Sequence, residues 1–473
     1  MNYSDFLLLR DELSLLAVIV ILLTYDIFAG EKSLRYFQPL AIALLTIHTF
    51  VNCIPREAFE VAGGMYHYAP VQSYLKTMLN VGTILIFLQA HQWLNGEESI
   101  IRRGEFYFLT LSTLFGMYLM ISSGHFLLFF IGIETAAIPM ATLVAFNKYK
   151  HESAEAGAKY LLSSVFASGI SLFGMSMIYG THGTLYFSDL SPLMQNTPME
   201  LMAMVFFLIG LFFKISLVPF HLWTPDVYEG APTSITAYLS VISKASAVFI
   251  LFTVLMKVFG NMMQEWQGIL YGLIIISITI ANIFAVRQQN IKRFLAYSSI
   301  SQAGYLMLGV ISGTALGMST MLYYVLVYLF SNLAVFGVVS VIENRTSKLL
   351  IKDYDGLYQT NPKLSVIMML ALFSLAGIPP FAGFFSKFFI FSAAAQQGFY
   401  VLVFIALLNT IISLYYYLLI VKAMFLNKSE NPIEPIKSDT AIRISLVICV
   451  AGIILAGLFS GIFDGINMIG MGL

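Results

Sequence analysis

The sequence predicts an all-α polytopic membrane protein with about fourteen transmembrane helices. Three observations support this fold class. Of the 473 residues, 59% are hydrophobic, only 11% are charged, and long apolar stretches recur along the whole chain. A soluble domain carries about 25% charged residues, so this composition indicates a lipid environment. The formal net charge is zero, which argues against a nucleic-acid partner.

The predicted spans each hold the roughly 20 predominantly apolar residues that a transmembrane helix needs. We number them spans 1 to 14 in chain order. The connections between them are short, so we expect one membrane domain and no soluble domain. The spans lie near residues 13–29, 37–54, 73–95, 106–123, 125–146, 156–179, 201–225, 233–259, 266–287, 291–311, 317–343, 364–397, 399–426 and 441–463.

Basic residues are distributed unevenly between the loops on the two sides. Cytoplasmic loops carry an excess of lysine and arginine, so the basic side is predicted to face the cytoplasm and both termini the opposite side. The side opposite to the basic one holds only Arg10 and Arg56. The loops after odd-numbered spans hold Lys32, Arg35, Arg102, Arg103, Lys148, Lys150, Arg287, Lys292, Arg293, Arg345, Lys348, Lys352, Lys363, Lys428 and Lys437.

Four charged residues lie deep within spans: Glu134 in span 5, Lys214 in span 7, Lys244 in span 8 and Lys387 in span 12. A charge at the centre of an isolated transmembrane helix costs at least ~2.5 kcal/mol. One explanation is a set of ion pairs that hold helices together. A proton relay is the alternative that we favour, because burial lowers the pKa of a lysine towards neutral pH whereas arginine stays charged.

Other basic residues within spans lie nearer to their ends, where long side chains can extend to the membrane surface. Lys159 is near the start of span 6, and this explanation fits it as well as a relay role does. Lys76, Lys257, Lys422 and Arg443 are also expected to reach the surface in this way.

Prolines interrupt two spans beside the deep lysines. Pro219 follows Lys214 by five residues, and Pro379 and Pro380 precede Lys387. Proline lacks the backbone N–H and its ring clashes with the carbonyl four residues earlier, so it breaks a helix. Carbonyls freed at membrane depth are tolerated where they line a hydrated cavity. His221, beside the first break, titrates near neutral pH, although a lone histidine is more often a packing residue.

The two breaks lie five spans apart, which indicates an internal repeat. The segments 216–220 and 374–381, SLVPF and SLAGIPPF, are loosely alike. If spans 4–8 and 9–13 are tandem repeats, their odd number of helices gives them opposite orientations, and inverted repeats with discontinuous helices are typical of transporters. The predicted parts are three N-terminal helices (1–105), a first repeat (106–260), an inverted repeat (261–426) and a C-terminal helix (427–473).

The segment 213–233, FKISLVPFHLWTPDVYEGAPT, continued by SKA at 243–245, resembles the subunit N family of respiratory complex I, the proton-translocating NADH–quinone oxidoreductase. The resemblance extends over nearly the whole chain. The related L subunits carry a long C-terminal lateral helix, whereas this chain ends shortly after span 14. The M subunits have glutamate at the position of Lys387. Both have a basic residue on the span that here reads Tyr328-Leu329-Phe330-Ser331-Asn332, so the relay between Lys244 and Lys387 is expected to use water and hydroxyl groups.

The resemblance implies a role for each site residue. Glu134 and Lys214 would form an ion pair between spans 5 and 7, Lys244 would be the central relay lysine and Lys387 the terminal one. Lys159 matches a lysine near the input route. The protein would be a multi-pass subunit of the bacterial inner membrane that moves protons while quinone is reduced elsewhere. Its partners would be M-type, L-type and small membrane subunits and the lipid bilayer, with NAD, flavin, iron–sulfur clusters and quinone on partner subunits.

Cofactor chemistry within this chain is not indicated. Cys53 and Cys449 cannot supply the about four ligands of an iron–sulfur cluster or a structural zinc site, and no G-x-G-x-x-G motif is present. A subunit of a multisubunit cation/proton antiporter remains an alternative. A redox enzyme that binds quinone or haem would need ligand histidines on facing helices, and a purely structural scaffold would not explain lysines beside prolines. Four histidines instead lie mostly near span ends: His48, His91, His125 and His182.

Overall fold

The computed structural model describes residues 7–28, 30, 36–96 and 99–470, and these residues are mostly α-helical. We label the main helices so that their numbers follow the predicted spans. They are α1 (Arg10–Phe28), α2 (Phe37–Asn52), α3 (Pro70–Leu94), α4 (Arg103–Ile121), α5 (Phe126–Val144), α6 (His151–His182), α7a (Pro198–Ile215), α7b (Trp223–Gly230), α8 (Thr233–Lys257), α9 (Met263–Val286), α10 (Ile291–Ile311), α11 (Ala315–Thr346), α12a (Pro362–Ala376), α12b (Ala382–Gln396), α13 (Tyr400–Phe425) and α14 (Thr440–Leu458).

Short elements connect these helices. A two-stranded antiparallel hairpin, β1 (Phe59–Val61) and β2 (Tyr66–Tyr68), lies between α2 and α3. The sequence predicts only a connection between spans 2 and 3 in this region. Short helices or helical turns cover Phe187–Leu193, Leu357–Thr360 and Gly461–Gly470, and single 3₁₀ turns cover Ile100–Arg102, Gly260–Met262 and Ile351–Tyr354.

The predicted helical membrane fold is confirmed. Among the described residues, 11 helices are long and apolar enough to cross a membrane, and α2 and α12a are apolar but shorter. The count of fourteen spans stays a prediction, as do the boundaries of the four parts and the side of the membrane on which the termini lie. Two residues of the basic loops, Lys32 and Arg35, fall outside the described ranges.

The helices differ in how far their neighbours cover them. In the most apolar stretch of α8 and of α10, 94% of the residues are buried, and 89% are buried in α11. The corresponding fraction is 39% in α6 and 33% in both α13 and α14. Helices α8, α10 and α11 therefore form the centre of the bundle, whereas the outer faces of α6, α13 and α14 meet lipid or neighbouring subunits.

Helices at corresponding positions in the two predicted repeats have similar packing partners and lengths. Helix α4 packs on α5 as α9 packs on α10. Helices α6 and α11 both contain 32 residues, and each is followed by a broken helix. This correspondence supports the predicted repeat.

The first halves of the two broken helices end in the same backbone motif. Ser216 (φ 69°) and Gly377 (φ 87°) are left-handed, as in the Schellman motif that closes many helices. In each case the N–H of the left-handed residue donates to the carbonyl three residues earlier. The N–H of the following residue donates to the carbonyl five residues before it. These bonds are Ser216 to Phe213, Leu217 to Phe212, Gly377 to Ser374 and Ile378 to Phe373.

The second halves restart at Trp223 and Ala382. Pro219 lies between α7a and α7b, and Pro379 and Pro380 lie between α12a and α12b. The prediction that these three prolines break two helices is confirmed.

Helix α8 contains an irregularity that the sequence did not indicate. A π-helical turn covers Leu239–Ser243 and ends directly before Lys244. Single π turns inside α-helices occur frequently at functional sites.

Candidate functional site

Glu134 on α5 and Lys214 on α7a are neighbours near the first helix break. Lys214 is buried, and its Nζ donates to the carbonyl of Ile133 at 3.4 Å. The Glu134 carboxylate acts electrostatically on Lys214. No N–O distance of 4.0 Å or less joins Glu134 and Lys214 among the described ion pairs, so the pair that the resemblance implies is not closed in this structure.

The Glu134 carboxylate is itself incompletely satisfied. Its Oε1 atom is buried and has no hydrogen-bond partner in the described part of the chain. Pro139 lies inside α5 and leaves the carbonyl of Thr135 without its intrahelical partner, a feature that the sequence analysis missed. Buried polar atoms of this kind require a water molecule or a proton. The surroundings of Glu134 are therefore suited to hydration.

Lys244 begins the regular part of α8 that follows the π turn. Only 2% of its surface is exposed. Its Nζ donates to Ser299 Oγ on α10 at 2.7 Å and lies 5.8 Å from the ring centroid of Tyr228. The partners of this ammonium are thus a neutral hydroxyl and an aromatic face.

Lys387 lies on α12b and reaches back across the second break. Its buried Nζ donates to the carbonyls of Leu375 and Ala376 at 2.9 and 3.0 Å, which are the last carbonyls of α12a. A cation is favourable at the carbonyl end of a helix, where the backbone dipoles leave a partial negative charge. Lys387 also lies 5.1 Å from the ring centroid of Tyr305 and lines a cavity of about 340 Å³ together with Gly377.

His221 lies in the segment between α7a and α7b. It is buried, its ring is near the backbone of Pro219, and its Nδ1 makes no hydrogen bond of regular geometry among the described residues. It is close enough to Lys244 for their charges to interact.

Lys159 is in a different environment from the three deep lysines. Its side chain is 42% exposed, and Nζ lies 2.6 Å from Asp226 and 2.7 Å from Glu155. Arg293 extends this network to Asp226 and Glu229. The position favours the explanation that Lys159 reaches the membrane surface, and its role near an input route stays a prediction.

One expectation from the sequence is wrong. Lys76 does not reach the membrane surface but is fully buried, with Nζ 2.5 Å from Glu12 Oε1. The other carboxylate oxygen of Glu12 accepts from the Tyr66 hydroxyl at 2.8 Å. Of the remaining three residues of this group, Lys257 is partly exposed and Lys422 and Arg443 are exposed, and their reach to the membrane surface stays a prediction.

Comparison with known proteins places the chain among membrane subunits. Residues 123–413 match the family described as NADH:quinone oxidoreductase/Mrp antiporter, TM. NADH-quinone oxidoreductase subunit N of Phocaeicola vulgatus is 58% identical over 98% of each chain. The chain belongs to the subunit N family. The subunit N of Azobacteroides pseudotrichonymphae is also similar, with 53% identity over 100% of this chain and 99% of that protein.

Solved structures share the fold. A chain of respiratory complex I from Thermus thermophilus with bound Aureothin has a TM-score of 0.82 and 28% identity, and the match covers 96% of this chain and 98% of that one. A chain of the Mrp complex from Dietzia has a TM-score of 0.84 at 20% identity, with 100% and 97% covered. Both belong to membrane complexes, which agrees with other membrane subunits as the partners of this subunit family.

The residues that the structure describes contain no group of three or more histidine, cysteine, aspartate or glutamate side chains that could hold a metal ion. Cys449 is buried and Cys53 is exposed, and both are free thiols. The polar groups of the site are therefore the lysines, the carboxylate of Glu134, the imidazole of His221 and nearby hydroxyls.

Proposed function

We propose that this chain translocates protons as the N subunit of a proton-translocating NADH–quinone oxidoreductase in a bacterial inner membrane. The relay comprises Glu134, Lys214, Lys244 and Lys387, and quinone reduction elsewhere in the complex drives it. NAD, flavin, iron–sulfur clusters and quinone are held by partner subunits.

The observation that carries this proposal is the chemistry of the lysine partners. The Nζ atoms of Lys214, Lys244 and Lys387 donate to backbone carbonyls or to a hydroxyl, and no carboxylate lies within 4.0 Å of them among the described ion pairs. Ion pairs that merely hold helices together would need such carboxylates. A lysine with neutral partners can lose a proton without leaving an opposite charge buried and unpaired.

Proton transfer between these groups needs hydration. The unpartnered Glu134 Oε1 and His221 Nδ1 are acceptors or donors that a water molecule would satisfy. His221 lies in the first break and interacts electrostatically with Lys244, so it is suited to exchange protons between the Lys214 and Lys244 regions.

A subunit of a cation/proton antiporter is the alternative. The similarity to the Mrp complex chain, at 20% identity, indicates a shared fold but not a shared function. The 58% identity to a subunit N over nearly the full length favours the first function.

The test measures protons pumped per NADH oxidised by the whole complex in liposomes. We expect Lys214→Ala and Glu134→Ala each to lower this ratio strongly while the complex still assembles. Each change removes one of two neighbouring charges whose titrations are coupled, and so interrupts the relay. The matched control is Lys422→Ala, which removes an exposed lysine from a span. A wild-type ratio in both test variants would contradict the proposed function.

A further inference from the structure

Polar side chains connect the regions of Lys244 and Lys387. From one side, Lys244 Nζ donates to Ser299 Oγ on α10 at 2.7 Å. From the other, Lys387 Nζ donates to the carbonyl of Leu375 at 2.9 Å, and Gln302 Nε2 donates to the same carbonyl at 3.3 Å. Gln302 lies on α10, three residues after Ser299, and therefore on the same face of that helix.

Tyr417 on α13 continues this connection. Its hydroxyl accepts from Gln302 Nε2 at 3.2 Å and lies 2.5 Å from Ser298 Oγ. Two hydrogen-bonded chains, one from each lysine, therefore end at the adjacent residues Ser298 and Ser299 of α10. All these side chains are buried.

Tyr328 on α11 lies where the two chains approach each other. It is a neighbour of both Ser299 and Tyr417. Only 5% of its surface is exposed, and its hydroxyl is near Ser299 but makes no hydrogen bond of regular geometry among the residues that the structure describes. A buried hydroxyl without a partner indicates an ordered water molecule. Such a water beside Tyr328 would join Ser299 to Tyr417.

We propose that the hydroxyls of Ser299, Tyr328 and Tyr417, together with bound water, carry the proton between Lys244 and Lys387. Gln302 is the positioning residue. Its two N–H groups bond to Tyr417 and to the Leu375 carbonyl, and its Oε1 accepts from Tyr324. This proposal rests on the proposed function, because it needs a proton to pass between the two lysines.

The step balances without any further reactant. The Lys244 ammonium gives a proton to the first hydroxyl, which passes its own proton to the next group. The last hydroxyl or water delivers a proton to the neutral amine of Lys387. Each hydroxyl ends with one proton, and rotation of the O–H groups restores the starting arrangement.

The test uses the complete complex in liposomes and measures protons pumped per NADH oxidised. We expect Tyr417→Phe and the double variant Tyr328→Phe/Tyr417→Phe to lower this ratio as far as Lys244→Ala does, at an unchanged amount of assembled complex. The matched control is Tyr323→Phe. Tyr323 lies on α11 like Tyr328, is equally buried, and donates to the carbonyl of Ala456 at 2.6 Å, and its loss should leave the ratio unchanged.

The outcomes separate this link from the function on which it rests. A wild-type ratio in the double variant, with a lowered ratio in Lys244→Ala, overturns the hydroxyl link and leaves the proposed function standing. A wild-type ratio in Lys244→Ala as well contradicts the function. An equal fall in Tyr323→Phe overturns the link, because loss of any buried hydroxyl would then suffice. If the aromatic variants do not assemble, Ser299→Ala decides, and its ratio must fall for the link to hold.

Discussion

Replacing Lys387 with arginine separates the transfer of a proton from the presence of a charge. In the structure, Lys387 Nζ donates to the carbonyls of Leu375 and Ala376. A guanidinium has five N–H donors and can bond to both carbonyls. The local electrostatics are therefore preserved in Lys387→Arg, whereas the ability to release a proton is lost.

The size of the effect follows from the acidity of the two groups. Arginine has a pKa of about 12.5 or higher, so at pH 7 only about one molecule in 10⁵ is deprotonated. A lysine with the reference pKa of about 10.4 is neutral about 100 times more often, so a transfer step that requires the neutral side chain slows by about 100-fold and pumping through this chain falls to background. The cost in stability is smaller. A Cβ at Gly377 would lie 3.0 Å from Lys387 Cδ, so the space is tight, and overpacking costs about 1–3 kcal/mol.

Lys387→Ala provides the comparison. It removes two charge-assisted hydrogen bonds, whose loss destabilises the protein by about 1.5–3 kcal/mol each. It also removes the buried charge, whose desolvation costs several kcal/mol, and this stabilises the protein. These contributions largely cancel, so the complex should assemble. We expect both variants to lower the number of protons pumped per NADH to the same extent, while Lys422→Arg at an exposed position has no effect. Full pumping by Lys387→Arg would show that Lys387 is a fixed charge, and the relay would then have to pass through other groups.

Two further predictions concern the rest of the chain. Lys76→Met should destabilise the assembled subunit by about 3–5 kcal/mol, because it leaves the Glu12 carboxylate buried without its cation; adding Glu12→Gln should recover much of this loss. Thermal unfolding of the purified complex measures both effects, and equal stability of the single and double variants would contradict the pairing. The chain purified alone in detergent should show neither haem nor flavin absorbance and no bound iron. Stoichiometric iron or flavin would instead favour a redox enzyme.

The features that sequence predicts well here are those with a local physical cause. The helix breaks follow from Pro219 and from the pair Pro379–Pro380, since a proline disrupts its own helix wherever that helix lies. The burial of Lys214, Lys244 and Lys387 follows from their distance to the nearest span end. Neither inference needs knowledge of which helices are neighbours.

The features that the sequence did not reveal depend on contacts between distant segments. Lys76 finds its partner Glu12 64 positions away, and hydropathy shows only that both lie near span ends. The link through Gln302 and Tyr417 joins residues that are 115 positions apart. The π turn before Lys244 has no distinctive composition, because its residues, Leu239–Ser243, are equally compatible with a regular α-helix.

Different side chains donate to the last carbonyls of α7a and of α12a, and this difference determines which proton can leave. At the end of α7a, Trp223 Nε1 donates to the carbonyl of Phe213 at 3.1 Å, so a neutral indole caps the helix and Lys214 can turn towards α5. At the end of α12a, Lys387 itself caps two carbonyls. An ammonium has three N–H donors, and the neutral amine left after deprotonation still has two. Both carbonyls of α12a therefore keep their partners when Lys387 loses its third proton. That proton can leave without the cost of an unsatisfied buried carbonyl.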